Sequence, residues 1–391
     1  MSLLWRTGVM LLACGGAVLL GWTGFERHID MACETDEWPH LSACPDRDVA
    51  TSEQVERLRT LIGRNPGDTA NYVALALLAA GEGGVAPLDD QAVLDAARTL
   101  APPNPLLQRA LAARAVDREQ WDEGVQALVR LVQTRRDAKA ARDLAALLAG
   151  PDSREAVVAA VREDSRWVEP VLRALPAARV STGDATPLLI AALSKQLLTP
   201  ETTLAFINQL KGEKNWLDAQ ALWLRLLGRP TGMIYNGGFE TGFLRGGFDW
   251  ELPNGPPNRT GAEVQQPVVG GAQGRALELV FNGRPLALPA ISQTLVLFPG
   301  TYAFSGRFMT RGLNAGAGLV WTFHCLNGGA ELARTSPLRD TSGQWQELNA
   351  RVDVPDGCGA VRLQLRTQLA SDAYSGLRGD AYFDNLRLAL P

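Results

Sequence analysis

Asn236-Gly237-Gly238-Phe239-Glu240 opens, and Ala381-Tyr382-Phe383-Asp384-Asn385-Leu386-Arg387-Leu388 closes, the segment that decides the fold of the C-terminal part of this chain. Before it, apolar residues recur every three to four positions. After Gly228-Arg229-Pro230, glycine, proline and aromatic residues become more frequent and the apolar period drops to two. A period of two sends alternate side chains to opposite faces of a strand. Strands are expected over 276–281, 290–298, 300–310, 318–325, 345–354, 360–367 and 381–390. Asn282-Gly283, Pro299-Gly300, Asn327-Gly328 and Pro355-Asp356-Gly357 mark the turns between them. Many short strands at this spacing predict an antiparallel β-sandwich over 231–391.

The opening residues with Trp250, the Gly343-Gln344-Trp345 strand start and the closing run together resemble the jelly-roll, galactose-binding-like carbohydrate-binding modules carried by many glycoside hydrolases. The resemblance covers Ile234 to Leu390. It implies a jelly-roll fold, glycan as the ligand and a structural calcium held between the first and last segments. Glu240 and Asp384 match its carboxylate ligands; hydrogen bonds at strand ends are the alternative role for the same two residues. Calcium suits such positions because it draws oxygen ligands from separate parts of a chain. In the same family Trp250 and Trp345 occupy packing positions.

A sugar site needs an exposed aromatic face for the ring and polar side chains for its hydroxyls. Tyr374, in the polar segment Ser371 to Asp380, is expected in a surface loop. Trp321 and Phe323 share one face of a strand, and that face is either core or sugar platform. Gln364 and Arg366 share a face of another strand and are expected to meet hydroxyls or solvent.

Residues 51–230 read as a helical array. Val55, Leu58, Leu61 and Ile62 fall on one face, and Asn65-Pro66-Gly67-Asp68 makes a turn before the next helix. Leu106–Val132 and Leu204–Leu227 resemble degenerate tetratricopeptide repeats. In each an aromatic, Trp121 or Trp216, follows the inter-helix turn, and a small residue, Gly124 or Ala219, lies three positions later. Paired antiparallel helices with short loops predict an α-solenoid and a concave scaffold for a protein partner. A generic helical domain remains the alternative.

The uncharged run from Thr7 to Phe25 is long enough for a transmembrane helix, which needs about 20 residues. Arg6 marks the cytoplasmic side. Residues 1–25 are therefore expected to be a single-pass anchor in the cytoplasmic membrane, with the bulk of the chain periplasmic or extracellular. Leu11 to Cys14 resembles a lipobox, but the apolar run continues well past Cys14, and no small-residue cleavage pattern follows Trp22. Lipidation or cleavage would leave the rest of the chain in the same compartment.

Four of the five cysteines form two local pairs, Cys33 with Cys44 and Cys325 with Cys358. Two disulfides in an oxidising compartment are expected; free buried thiols are the alternative. Residues 26–50 read as a disulfide-closed juxtamembrane loop or a linker.

The chain of 391 residues has a net charge of −4 and three histidines. No basic stripe with interleaved aromatics supports a nucleic-acid partner, and no metalloprotease, nucleophile-elbow or phosphate-loop pattern occurs. The reading is a multidomain α + β protein without enzymatic activity, placed in cell-surface polysaccharide assembly or export. It would bind glycan through the sandwich and a protein through the helices. A pure protein scaffold is the alternative, followed by a glycan-active enzyme.

Overall fold

A computed structural model describes residues 52–79, 96–97, 99 and 104–391. The expected anchor, the 26–50 loop and the Cys33–Cys44 pair lie outside them. Among the described residues no helix is long and apolar enough to cross a membrane. The chain divides into two compact units, Met1–Gln120 and Trp121–Pro391. The boundary expected near residue 230 falls inside the second unit, and the repeat-like segment Leu106–Val132 straddles the division.

The first unit contains α1 (Ser52–Arg64), α2 (Thr69–Ala79) and α3 (Pro105–Asp117). α1 packs on α2, and α2 on α3. Asn104 caps α3 by accepting from the Leu107 amide at 3.1 Å. Pro105 costs nothing there, because the first-turn amide it lacks would be unpaired anyway.

The second unit begins with α4 (Trp121–Arg135), α5 (Ala138–Leu147), α6 (Pro151–Ala159), α7 (Val168–Ala178), α8 (Thr186–Ser194), α9 (Pro200–Gly212) and α10 (Trp216–Leu227). Helices pack on neighbours one and two along: α4 on α5 and α6, α5 on α7, α6 on α8, α8 on α10, and α9 on α10. Local chemistry sets their ends. Asp137 caps α5 by accepting from the Lys139 and Ala140 amides, each at 3.0 Å. Gly228 ends α10 at φ 65°, a left-handed conformation that glycine adopts without a Cβ clash.

Helices then give way to antiparallel sheets. One sheet has the order β1 (Ala262–Gln265), β2 (Leu277–Asn282), β9 (Arg378–Ala389), β4 (Gly300–Asn314), β7 (Gln346–Val354). The other runs β3 (Ile291–Leu295), β8 (Val361–Thr367), β5 (Leu319–Cys325), β6 (Glu331–Arg334). Apolar residues from both sheets form a single core. Phe304 of one sheet meets Phe323 of the other at 5.0 Å, and Trp321 meets Phe383 at 5.3 Å. Cys325 and Cys358 are joined as a disulfide beside this core.

Two short edge strands, β1 and β6, were not expected from the sequence. Each has four residues, too few to display a period. The segment around Tyr374, expected as a loop, holds the short helix α12 (Ala370–Ser375), and α11 (Pro257–Thr260) precedes β1.

The opening and closing segments meet. The Leu386 amide donates to the Gly237 carbonyl at 2.8 Å, and a Cβ on Gly237 would overlap the carbonyl oxygen of Leu386. Asn236 closes its own turn: its side-chain amide donates to Thr241 O at 2.8 Å, and its Oδ1 accepts from the Thr241 amide at 3.2 Å. Its carbonyl also accepts from Trp250 Nε1 at 3.2 Å. Phe239 is fully buried against Trp250 with φ 57°. That is a strained value for an aromatic residue, held by the surrounding packing.

Candidate binding face

The four-stranded sheet has two unlike faces. Inward, β8 sends Val361, Leu363 and Leu365 into the core, and β5 sends Leu319, Trp321, Phe323 and Cys325. Outward go Arg362, Gln364 and Arg366 from β8, Val320, Thr322 and His324 from β5, and Ser292 and Thr294 from β3. Strand pairing sorts these into rows. Ser292, Gln364, Thr322 and Arg334 form one, and Thr294, Arg362, His324 and Glu331 the next. Arg366 stands opposite Val320.

Gln364 is 8% exposed, and Ser292, Thr294 and Thr322 are buried, although none points into the core. His324 Nε2 lies 3.1 Å from Thr322 Oγ1, and Arg334 forms a two-point pair with Glu331. At the opposite edge Glu251 bridges to Ser292 and extends the first row outward. Its carboxylate lies 3.1 Å from Lys211 Nζ of α9 and 3.7 Å from Arg362. Among the described residues the side chain of Arg366, whose backbone is paired with Val320, has neither an ion-pair partner nor a hydrogen bond.

The structure separates the residues expected at a sugar site. Gln364 and Arg366 share the outer face. Tyr374 is 79% exposed on α12, the helix that follows β8 beyond Arg366. Trp321 and Phe323 are corrected to core: both are 0% exposed, enclosed by Trp250, Phe304 and Phe383, so no sugar ring reaches them. Sequence reading missed Ser292, Thr322, Arg362, His324 and Glu251. Thr322, His324 and Arg362 alternate with apolar residues on β5 and β8, a visible signal, whereas Ser292 opens the polar run Ser292-Gln293-Thr294 of β3, which shows no alternation. Glu251 carries no such signal, because a loop delivers it.

Glu240 and Asp384 address one loop. The Gln273 amide donates to Asp384 Oδ2 at 3.1 Å, and the Arg275 amide to Glu240 Oε2 at 3.2 Å. Gly274 lies between those amides, where a Cβ would fill the space against the Glu240 carboxylate. Among the described residues no group of three or more His, Cys, Asp or Glu side chains gathers at metal-binding distance. The two side chains are carboxylates, the donor type that calcium draws on.

The helices adjoin this domain through Trp223 of α10. Its ring lies 5.1 Å from Tyr235 and 6.3 Å from Phe248, and the amide of Gly247 donates to Asn208 Oδ1 of α9 at 3.1 Å. In this seam Asp249 is 1% exposed; one carboxylate oxygen accepts from the Leu244 amide and the other has no partner. Burial pushes its pKa above the ordinary carboxylate value, since little solvates the charge. A raised folded-state pKa gives stability that is fully present below the unfolded value and lost as pH rises through the folded one. In urea melts from pH 4 to pH 7.5, Asp249→Asn should therefore gain stability relative to the parent as pH rises. Parallel pH profiles would refute the assignment.

No family model and no curated protein matches the chain. Several solved structures are similar to a part of it that is comparable in length to the two-sheet domain. A family 4 carbohydrate-binding module matches at 17% identity over 40% of this chain and 98% of its own, with TM-score 0.31. The first family 22 xylan-binding domain of Xyn10C from Paenibacillus barcinonensis matches at 17% over 39% and 91%, TM-score 0.27. A family 61 module solved with β-1,4-galactotriose matches at 16% over 41% and 100%, TM-score 0.28. All three matched structures are carbohydrate-binding or xylan-binding modules.

Proposed function

We propose that the two-sheet domain binds glycan on the outer face of the four-stranded sheet, without catalysis. One observation carries this reading: hydrogen-bonding side chains stand in rows on that face, while a sealed aromatic core lies beneath it. The Arg362, Gln364 and Arg366 side chains suit hydroxyl groups, and Tyr374 offers a ring at the end nearest Arg366. The face's two carboxylates, Glu251 and Glu331, stand at opposite edges. Both are already held by cations, Glu251 by Lys211 and Arg362 and Glu331 by Arg334.

The expected result on a glycan array is selective capture of the full chain. Gln364→Ala and Tyr374→Ala should each weaken it about tenfold, the scale of one lost hydrogen bond or stacking contact, with unchanged melting temperature. If no glycan is captured, the reading fails and the scaffold alternative takes its place.

The same proposal places the protein behind its 7–25 anchor in the cytoplasmic membrane, facing the periplasm, with a solenoid of helices contacting a protein partner in polysaccharide assembly or export. Leu217 and Leu224 support the partner contact: both are exposed, and they lie seven residues apart on α10, along one face. The Cys325–Cys358 disulfide fits an oxidising compartment.

Calcium belongs to the proposal as a structural ion at Glu240 and Asp384, tying the first segment to the last strand. Chelation should then lower the melting temperature by several degrees, and millimolar calcium should restore it where magnesium does not. An unchanged melting curve would remove calcium from the proposal.

A further inference from the structure

Charge on the outer face of the four-stranded sheet is unevenly distributed. Lys211, Arg334, Arg362 and Arg366 stand on it or at its edges, against Glu251 and Glu331, although the whole chain is net negative at −4. The two glutamates are already engaged. Glu331 holds Arg334 in a two-point pair and has His324 at 3.7 Å. Glu251 is shared between Lys211 at 3.1 Å and Arg362 at 3.7 Å. That leaves Arg362 weakly paired, with a buried Nε that has no acceptor. Arg366 is half-buried and its side chain has no acceptor among the described residues.

A half-buried guanidinium loses hydration without recovering it from a partner. The loss is recovered if the ligand brings an anion. The guanidinium fork matches a planar carboxylate at two points, which a neutral hydroxyl cannot do. Arg362, Gln364 and Arg366 occupy alternate positions on one strand, so neighbours in the row are about 6.7 Å apart and the arginines about 13 Å. That span exceeds one pyranose ring. It alternates a carboxylate-binding group, an amide suited to hydroxyls and a second carboxylate-binding group. Lys211 and Glu251 bound the row at the Arg362 end, and the Arg366 end leads toward exposed Tyr374.

We propose that this face selects an acidic oligosaccharide, a uronate chain whose carboxylates are bound by Arg362 and Arg366. The inference rests on the glycan-binding reading above and narrows its ligand class.

The test is calorimetric titration of the full chain with oligogalacturonate, oligomannuronate and oligoglucuronate, each beside its carboxyl-reduced, neutral counterpart. The expected result is that at least one uronate binds ten or more times tighter than its reduced form, and weakens steeply as salt rises. Arg366→Ala should weaken that binding at least tenfold without moving the melting temperature, and Arg366→Lys should recover only part of it, because a point charge lacks the fork. Equal binding of acidic and reduced forms overturns the acidic-ligand inference and leaves glycan binding standing. Array capture of neutral glycans with no uronate binding does the same. Binding of neither the titrated oligosaccharides nor any arrayed glycan overturns both.

Discussion

Gly237→Ala should destabilise the two-sheet domain by more than about 2 kcal/mol, a large effect for adding one methyl group. The added Cβ meets backbone, the carbonyl of Leu386, and not the movable end of a side chain. Relief requires β9 to shift away from the opening turn, which breaks the Leu386 amide to Gly237 carbonyl bond of 2.8 Å. The Asn236 turn that orients Trp250 would shift with it. Thermal melts of parent and variant check the expectation. Gly238→Ala is the control: its nearest neighbour is a flexible Glu240 side-chain carbon at 3.8 Å, so its melting point should stay close to the parent's. Equal melting points for all three proteins would show that the opening and closing segments do not meet in this way.

That contact explains why the fold was legible in the sequence. The residues quoted first lie far apart in the chain but form one joint, and each has a local reason: Asn236 closes a turn, Gly237 admits a neighbouring strand, Phe239 anchors the core. The longer strands were visible because one face is sealed and alternation follows. β1 and β6 were not, being short edges whose burial is set by neighbours. The binding face was legible in part. Gln364 and Arg366 alternate with leucines, and a period of two assigns them to one side. It cannot say which side of a mixed strand holds the core when one side is aromatic and a sugar site is also aromatic. Glu251 and Lys211 escaped notice for a different reason: a loop and a helix bring them to the sheet, and no short-range pattern records that convergence.

Trp321→Ala is the substitution that separates core from platform. Trp321 contacts Trp250 at 5.8 Å, Phe304 at 6.5 Å and Phe383 at 5.3 Å, with no exposed surface. Removing the indole leaves a cavity between the sheets that a close-packed aromatic cluster cannot fully close, and such losses run to about 3–5 kcal/mol. For a unit of this size that corresponds to a fall of roughly 10 °C in melting temperature. Glycan binding below the new transition should survive, because the outer face takes its polar rows from the opposite sides of β3, β5 and β8. Gln364→Ala should show the reverse: little change in melting and weakened binding. Thr322 and Trp321 are sequence neighbours on β5, yet a sheet is one residue thick, so adjacent positions on a strand answer to different constraints. If Trp321→Ala instead kept its melting temperature and lost glycan binding, the indole would be a sugar platform, and the assignment of the two faces would have to be exchanged.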